Sequence, residues 1–178
     1  MTLSLDGHGE LVGQTDIGFF DHMLSALIKH AGFNLTLECR GDLHIDDHHS
    51  VEDVGICLGQ AFLKAIGDKT GISRFGHSYV PLDEALARAV VDISGRSQLI
   101  FHADFSRSTV GSFSSEMVYE FFKAFVDHAC ITMHLDLLAG INAHHQIEAL
   151  FKAAARALRD AVSIDERISG IPSTKGSL

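Results

Sequence analysis

The sequence of 178 residues predicts an α+β protein built as a tandem duplication, each half a small, mostly antiparallel sheet with helices on one face. Three observations predict it. The run His48-His49-Ser50-Val51-Glu52 recurs as His144-His145-Gln146-Ile147-Glu148, 96 positions on from His48 to His144. Each copy opens a stretch with apolar residues at helical spacing, Val51, Val54, Leu58, Phe62 and Ile66 after the first and Ile147, Leu150, Phe151, Ala154 and Leu158 after the second. Upstream of each copy lies a shorter amphipathic segment followed by strict apolar alternation, the mark of a helix leading into a half-buried strand.

In chain order, Leu3 and Leu5 alternate with Thr2 and Ser4 as a strand. Leu24 to Ala31 and Phe122 to Ala129 are the two short helices, each with apolar residues at i, i+3 and i+4. Phe33, Leu35, Leu37 and Cys39 form the first alternating strand, matched by Ile131, Met133, Leu135 and Leu137. Between them, Ala87 to Ile93 and Leu99 to Ala103 read as strands separated by the turn Ser94-Gly95-Arg96-Ser97. Only Pro81 and Pro172 occur and no Gly- or Ser-rich linker intervenes. Residues 1–84 and 85–178 are therefore expected to pack as two halves of one unit.

Composition narrows the function. A formal net charge of -9 leaves no basic face for a phosphate backbone, which argues against nucleic acid. No apolar run approaches the ~18 residues of a membrane span, and Met1 leads into the chain without a basic, then apolar leader. Cys39, Cys57 and Cys130 are odd in number and widely spaced, as expected of reduced, buried thiols in a cytoplasmic protein. Histidine is the anomaly: of twelve, eight fall in two zones, at His8, His22, His30, His44, His48, His49, His144 and His145.

Residues i and i+3 or i+4 share a helix face, so Glu52 reaches the same ligand as His48 or His49, and Glu148 the same as His144 or His145. Adjacent side chains diverge by about 100° around the axis, so the two histidines of a pair serve different ions. One such pair at a helix start is ordinarily a solvated surface feature; two with identical spacing in matching places point to a dinuclear metal site. Imidazole and carboxylate together suit Mn, Fe, Co, Ni or Zn, and octahedral N/O geometry favours Mn over Zn. The anionic ligands have to overcome the positive end of each helix dipole. His22, in Phe19-Phe20-Asp21-His22-Met23-Leu24, lies on the polar face of its helix and is a further candidate ligand.

With these residues in view, the chain resembles the imidazoleglycerol-phosphate dehydratase family over nearly its whole length. The matching segments are FFDHML at Phe19 to Leu24, DDHHSVED at Asp46 to Asp53, DISGR at Asp92 to Arg96, NAHHQIEALFKA at Asn142 to Ala153 and PSTKG at Pro172 to Gly176. The resemblance implies two ribosomal-S5-like halves, a shell of twenty-four subunits and two Mn2+ per active site. It implies loss of water from imidazole glycerol phosphate to give imidazole acetol phosphate, by way of a metal-bound imidazolate and a diazafulvene-like species. By position, the metal ligands would be His22, His48, His49, Glu52, His144, His145 and Glu148, completed across subunit contacts. Glu148, Glu52 and His49 are the candidates for moving protons. Arg74, Arg96, Ser173 and Lys175 would take the phosphate, for which an Arg fork and a Lys point charge are suited.

Two departures from the family pattern stand out. Where many members carry a His, this chain has Glu120 in Met117-Val118-Tyr119-Glu120-Phe121-Phe122, an oxygen ligand in place of a nitrogen one. Members also carry an upstream strand with an Arg-x-Thr-x-Glu segment, so a form extended at its start is expected to show kcat/KM raised by at least about tenfold. Two other readings share the paired motifs. A non-enzymatic metal-storage shell would not need converging Arg and Lys side chains, and a dinuclear phosphatase would release free phosphate.

Overall fold

The computed structural model describes residues 1–178, and its four helices coincide with the stretches of helical apolar spacing in the sequence. Helix α1 (Gly18–Ala31) buries Phe20, Met23, Leu24, Leu27, Ile28 and Ala31, the i, i+3, i+4 set of its sequence. Asp21 in its first turn accepts hydrogen bonds from the N–H and hydroxyl of Thr15, both at 2.7 Å. Gly32, at φ 72°, ends it in the left-handed conformation that glycine adopts without strain. Helix α2 (His48–Ile66) and helix α4 (Ala143–Val162) each begin at a His-His pair, as the sequence predicts. Helix α3 (Met117–Ala129) lies between them in sequence. None of these helices is long and apolar enough to cross a membrane.

The strands form two main sheets. Strands β1 (Thr2–Ser4), β2 (Glu10–Val12) and β3 (Asn34–Thr36) make the first, in the order β1-β3-β2. Strands β4 (Phe75–Leu82), β5 (Ala85–Asp92), β6 (Gln98–His102) and β9 (Thr132–Ala139) make the second, in the order β4-β5-β9-β6. A short hairpin, β7 (Thr109–Val110) and β8 (Phe113–Ser114), precedes α3. In the first sheet β1 runs antiparallel and β2 parallel to β3; in the second β5 runs antiparallel and β6 parallel to β9. The succession strand, helix, parallel strand, helix therefore occurs twice, as β2-α1-β3-α2 and β6-α3-β9-α4.

The expected boundary after Glu84 falls in the turn between β4 and β5, which pair along their whole length from Phe75↔Asp92 to Leu82↔Ala85. Strand β4 escaped the sequence reading because its inward positions are Gly76, Ser78 and Val80, which carry little apolar signal. The two strands flanking the Ser94–Ser97 turn do not pair with each other, since β9 enters between them. The strand expected over 33–39 shortens to β3: past Thr36 the single bond from Leu37 N–H to Val12 C=O closes the pairing. The three cysteines are free, but Cys57 is exposed on α2 and Cys39 and Cys130 are half-buried, so they are not the buried thiols expected.

One apolar core of 43 buried residues runs through both halves, which joins them as one packed body. Helix α4 lies between α1 and the inward face of β4 and β5, and its buried Ala149, Ala153, Ala154, Ala157 and Ala161 keep that layer thin. At Gly76 a Cβ would lie 1.9 Å from the Ala157 carbonyl oxygen, so only glycine fits there. Helices α2 and α3 also pack closely: a Cβ on Gly59 would lie 2.5 Å from the Phe125 carbonyl oxygen.

Candidate metal centre and basic tail

The start of α4 is fixed by Asn142, whose side-chain oxygen accepts a hydrogen bond from the His144 N–H at 2.9 Å. One turn on, Glu148 turns back towards His144, and His22 of the packed helix α1 comes over both. His144 Nε2 lies 3.1 Å and His22 Nε2 3.2 Å from the same Glu148 Oε2. The three donor atoms lie within 4.8 Å of one another. Ligands ~2.1 Å from an ion and about 90° apart are ~3 Å from each other, so the triad has the spacing and chemistry to hold a divalent transition metal. The Phe19 ring walls it, centred 5.0 Å from that of His144.

Glu148 is held as a carboxylate. Its side chain is only 12% exposed, and burial alone pushes its pKa up. Lys152, 2.7 Å from Oε1, and His22 outweigh that and bring it below the usual value. The i+4 spacing of Lys152 made this contact legible in the sequence, though it was not singled out.

The first motif is more open. His48 N–H donates to Asp46 at 3.0 Å, repeating the contact of His144 with Asn142. His48 Nε2 and Glu52 Oε2, however, are 3.8 Å apart, and Glu52 is 45% exposed. The offset that aligns Leu24 to Ala31 with Phe122 to Ala129 puts Glu120 where His22 stands in the first half. His22, His144 and Glu148 are nevertheless the one three-donor group in the chain, and Glu120, His48 and Glu52 do not form a second. Within each pair the rings diverge, as helix geometry requires: planes cross at 87° for His48 and His49 and at 79° for His144 and His145.

The outer ring of each pair meets a carboxylate that the sequence reading did not pick out. His49 Nδ1 lies 2.9 Å from Asp42 Oδ2, and His145 Nδ1 lies 2.8 Å from Glu84 Oε2. These contacts raise the pKa of both histidines. Glu84 falls to about 2, first through His145 and then through the Asn142 N–H. Neither carboxylate has a sequence signal, because each reaches its histidine through a turn rather than along a helix.

The proposed phosphate ligands gather at the other end of α4. The Arg74 N–H donates to Ala161 C=O at 2.9 Å; its guanidinium donates to Asp92 at 2.8 and 3.3 Å and to Pro172 C=O at 2.9 Å. Pro172 thereby brings the segment with Ser173 and Lys175 alongside. The turn carrying the exposed Arg96 is next to it: Lys69 Nζ donates to the Leu178 carbonyl at 3.2 Å, and Leu178 packs against Gly95. Lys175 N–H donates to Ser173 Oγ at 3.2 Å. From Glu148 to Ala161 along the helix is ~20 Å at ~1.5 Å per residue, so the triad and the basic tail of one chain do not meet.

Comparison with known proteins gives a consistent result. The family model described as imidazoleglycerol-phosphate dehydratase matches residues 15–158. An imidazoleglycerol-phosphate dehydratase of Acidovorax sp. (strain JS42) is 59% identical over 177 residues, covering 99% of this chain and 84% of that protein. The crystal structure of imidazoleglycerol-phosphate dehydratase from Staphylococcus aureus superposes with a TM-score of 0.86 at 47% identity, covering 92% of each chain. That of the Pyrococcus furiosus enzyme in complex with (S)-C348 does so at 0.80 and 32% identity, over 99% of this chain and 94% of that one. The chain belongs to the imidazoleglycerol-phosphate dehydratase family.

Proposed function

We propose that this protein is a hydro-lyase of histidine biosynthesis that removes water from imidazole glycerol phosphate to give imidazole acetol phosphate. The observation that carries the reading is the convergence of His22, His144 and Glu148 on one point, in a chain whose relatives over nearly its full length are such dehydratases. The reaction takes a proton from C2 and expels the C3 hydroxyl as water; the resulting enol becomes the ketone. Two divalent ions, Mn2+ by preference, would act as Lewis acids on the imidazole ring and orient it. His22, His144 and Glu148 would hold one of them, and His48, His49, Glu52, His145 and Glu120 are the donors proposed for completing the site.

The residues divide the work by their surroundings. Glu148 has both oxygens engaged and stays anionic, which suits a ligand. Glu52, with 45% of its side chain exposed and 3.8 Å from His48, is the less firmly held of the two glutamates and the better candidate for moving a proton. Arg96, Lys175 and Ser173 would bind the phosphate, and Arg74 would brace the tail that presents them.

Because triad and tail lie ~20 Å apart along α4, we place the site between copies of the chain, within a homo-oligomer proposed to hold twenty-four. The outward face of the second sheet supports association, since it exposes Phe75, Tyr79 and Val90. We propose the cytoplasm as its compartment, where the three free thiols would remain reduced. The test is to incubate Mn-loaded protein with imidazole glycerol phosphate and follow both products. Imidazole acetol phosphate without free phosphate is expected; free phosphate would indicate a phosphatase, and no turnover a storage shell.

A further inference from the structure

Each His-His pair contains one ring that faces its own glutamate and one that is tied back to a carboxylate from elsewhere. His48 and His144 face Glu52 and Glu148 through Nε2. His49 and His145 instead engage Asp42 and Glu84 through Nδ1, at 2.9 and 2.8 Å. The two carboxylates are not counterparts in the duplication. Asp42 comes from the loop before α2, whereas Glu84 comes from the β4–β5 turn, where Asp83 adopts φ 47°. The same contact has been reached by two different routes, so it is not a by-product of the repeated helix.

Both carboxylates are held by their own surroundings. Glu84 Oε1 accepts the Ile141 and Asn142 N–H groups at 3.2 and 2.9 Å, leaving Oε2 aimed at His145. Asp42 follows Gly41, where a Cβ would lie 1.8 Å from Ser50 Oγ; the missing side chain lets the loop press onto the first turn of α2 beside His49. An ionised carboxylate can only accept, so the ring nitrogen facing it must carry the hydrogen. A ring that donates Nδ1–H keeps its lone pair on Nε2, the arrangement by which carboxylates orient metal-binding imidazoles. On His145 that nitrogen has only Asp83 near it, at 3.9 Å.

We propose that Asp42 and Glu84 are positioning residues that fix the tautomer and direction of His49 and His145, so that each presents an unprotonated Nε2 to a divalent metal. The inference rests on the reading of His49 and His145 as ligands. It assigns to the β4–β5 turn, far from either motif in sequence, a part in building the metal centre.

The test measures Mn2+ affinity of the full-length protein, stripped with EDTA and titrated against a chromophoric chelator. Asp42→Ala and Glu84→Ala should each weaken binding by about 10- to 100-fold, the usual effect of losing such a partner. Asp42→Asn should recover most of the loss, because its amide oxygen still accepts Nδ1–H. In His49→Ala and His145→Ala backgrounds the respective Ala substitutions should cost nothing more, as expected of residues acting through those rings. Unchanged affinity in Asp42→Ala and Glu84→Ala, with affinity lost in His49→Ala and His145→Ala, would overturn the inference and leave the metal reading standing. Losses that persist undiminished in the histidine-deleted backgrounds would overturn it too. If His49→Ala and His145→Ala themselves bind Mn2+ normally, the metal reading fails and this inference with it.

Discussion

The two copies of the His-His-x-x-Glu motif share a sequence and a helix start but not a state of assembly. At the start of α4, Glu148 is half-buried, clamped by Lys152 and shared by two imidazoles from two helices. At the start of α2, Glu52 has 45% of its side chain exposed, stands 3.8 Å from His48 and gains no third donor from α3. The cause lies in what each helix packs against. Helix α1 brings a histidine to α4, whereas the repeat offset puts Glu120 of α3 at the corresponding position, and Glu120, His48 and Glu52 form no second three-donor group. The comparison teaches that a duplicated motif can leave one half formed within the chain and the other dependent on metal or on another copy.

The largest effect expected from this difference is on the first equivalent of metal. Glu148→Ala should weaken uptake of the first Mn2+ by more than about 100-fold, beyond the range for outer partners alone, whereas Glu52→Ala should cost less. Calorimetric titration of stripped protein would read both, and equal losses would erase the distinction between halves. Next is Arg96→Ala, at the other end of α4. Charge-assisted bonds to phosphate are worth ~1.5 to 3 kcal/mol, so KM should rise by about 10- to 100-fold while metal content stays constant. Loss of metal in that variant would place Arg96 with the triad instead.

Smaller effects sharpen the packing side. Gly59→Ala puts a methyl into the α2–α3 contact and should destabilise by about 1 to 3 kcal/mol in urea unfolding. Gly18→Ala, where nothing lies within 4 Å of the added atom, should be close to neutral. Lys152→Met removes the clamp on Glu148 and leaves burial to raise its pKa. In the native fold that pKa is lowered, so the stability Glu148 contributes is present above ~4.5 and fades as pH falls through the lowered value. In Lys152→Met the loss should set in at higher pH, with the midpoint of Mn2+ release moved up. An unmoved midpoint would mean that Lys152 does not hold Glu148.

Much of this was legible in the sequence, and the rest was not for definite reasons. Helices α1 to α4 and strand β9 follow apolar periodicity, which reports burial directly. The repeat identified His144 and Glu148, and the polar face of α1 identified His22. Strand β4 was missed because its buried face is Gly76, Ser78 and Val80, chosen for close approach to α4 rather than for apolar bulk. Asp42 and Glu84 were missed because turns bring them to their histidines. The ~20 Å between Glu148 and Arg74's anchor at Ala161 emerged only once β4 was known to begin beside the last turn of α4.

The central claim is that triad and basic tail act together from different chains, and subunit mixing tests it most directly. Glu148→Ala and Arg96→Ala chains, each assayed at substrate well below KM, where both turn over poorly alone, would be co-assembled by stripping metal, mixing and restoring Mn2+. If each site takes its triad from one chain and its Arg96 from another, some sites in the mixture carry neither substitution, and dehydratase activity should return well above the sum of the two variants. If triad and tail of the same chain formed the site, every site would be defective and mixing would restore nothing, which would contradict the account.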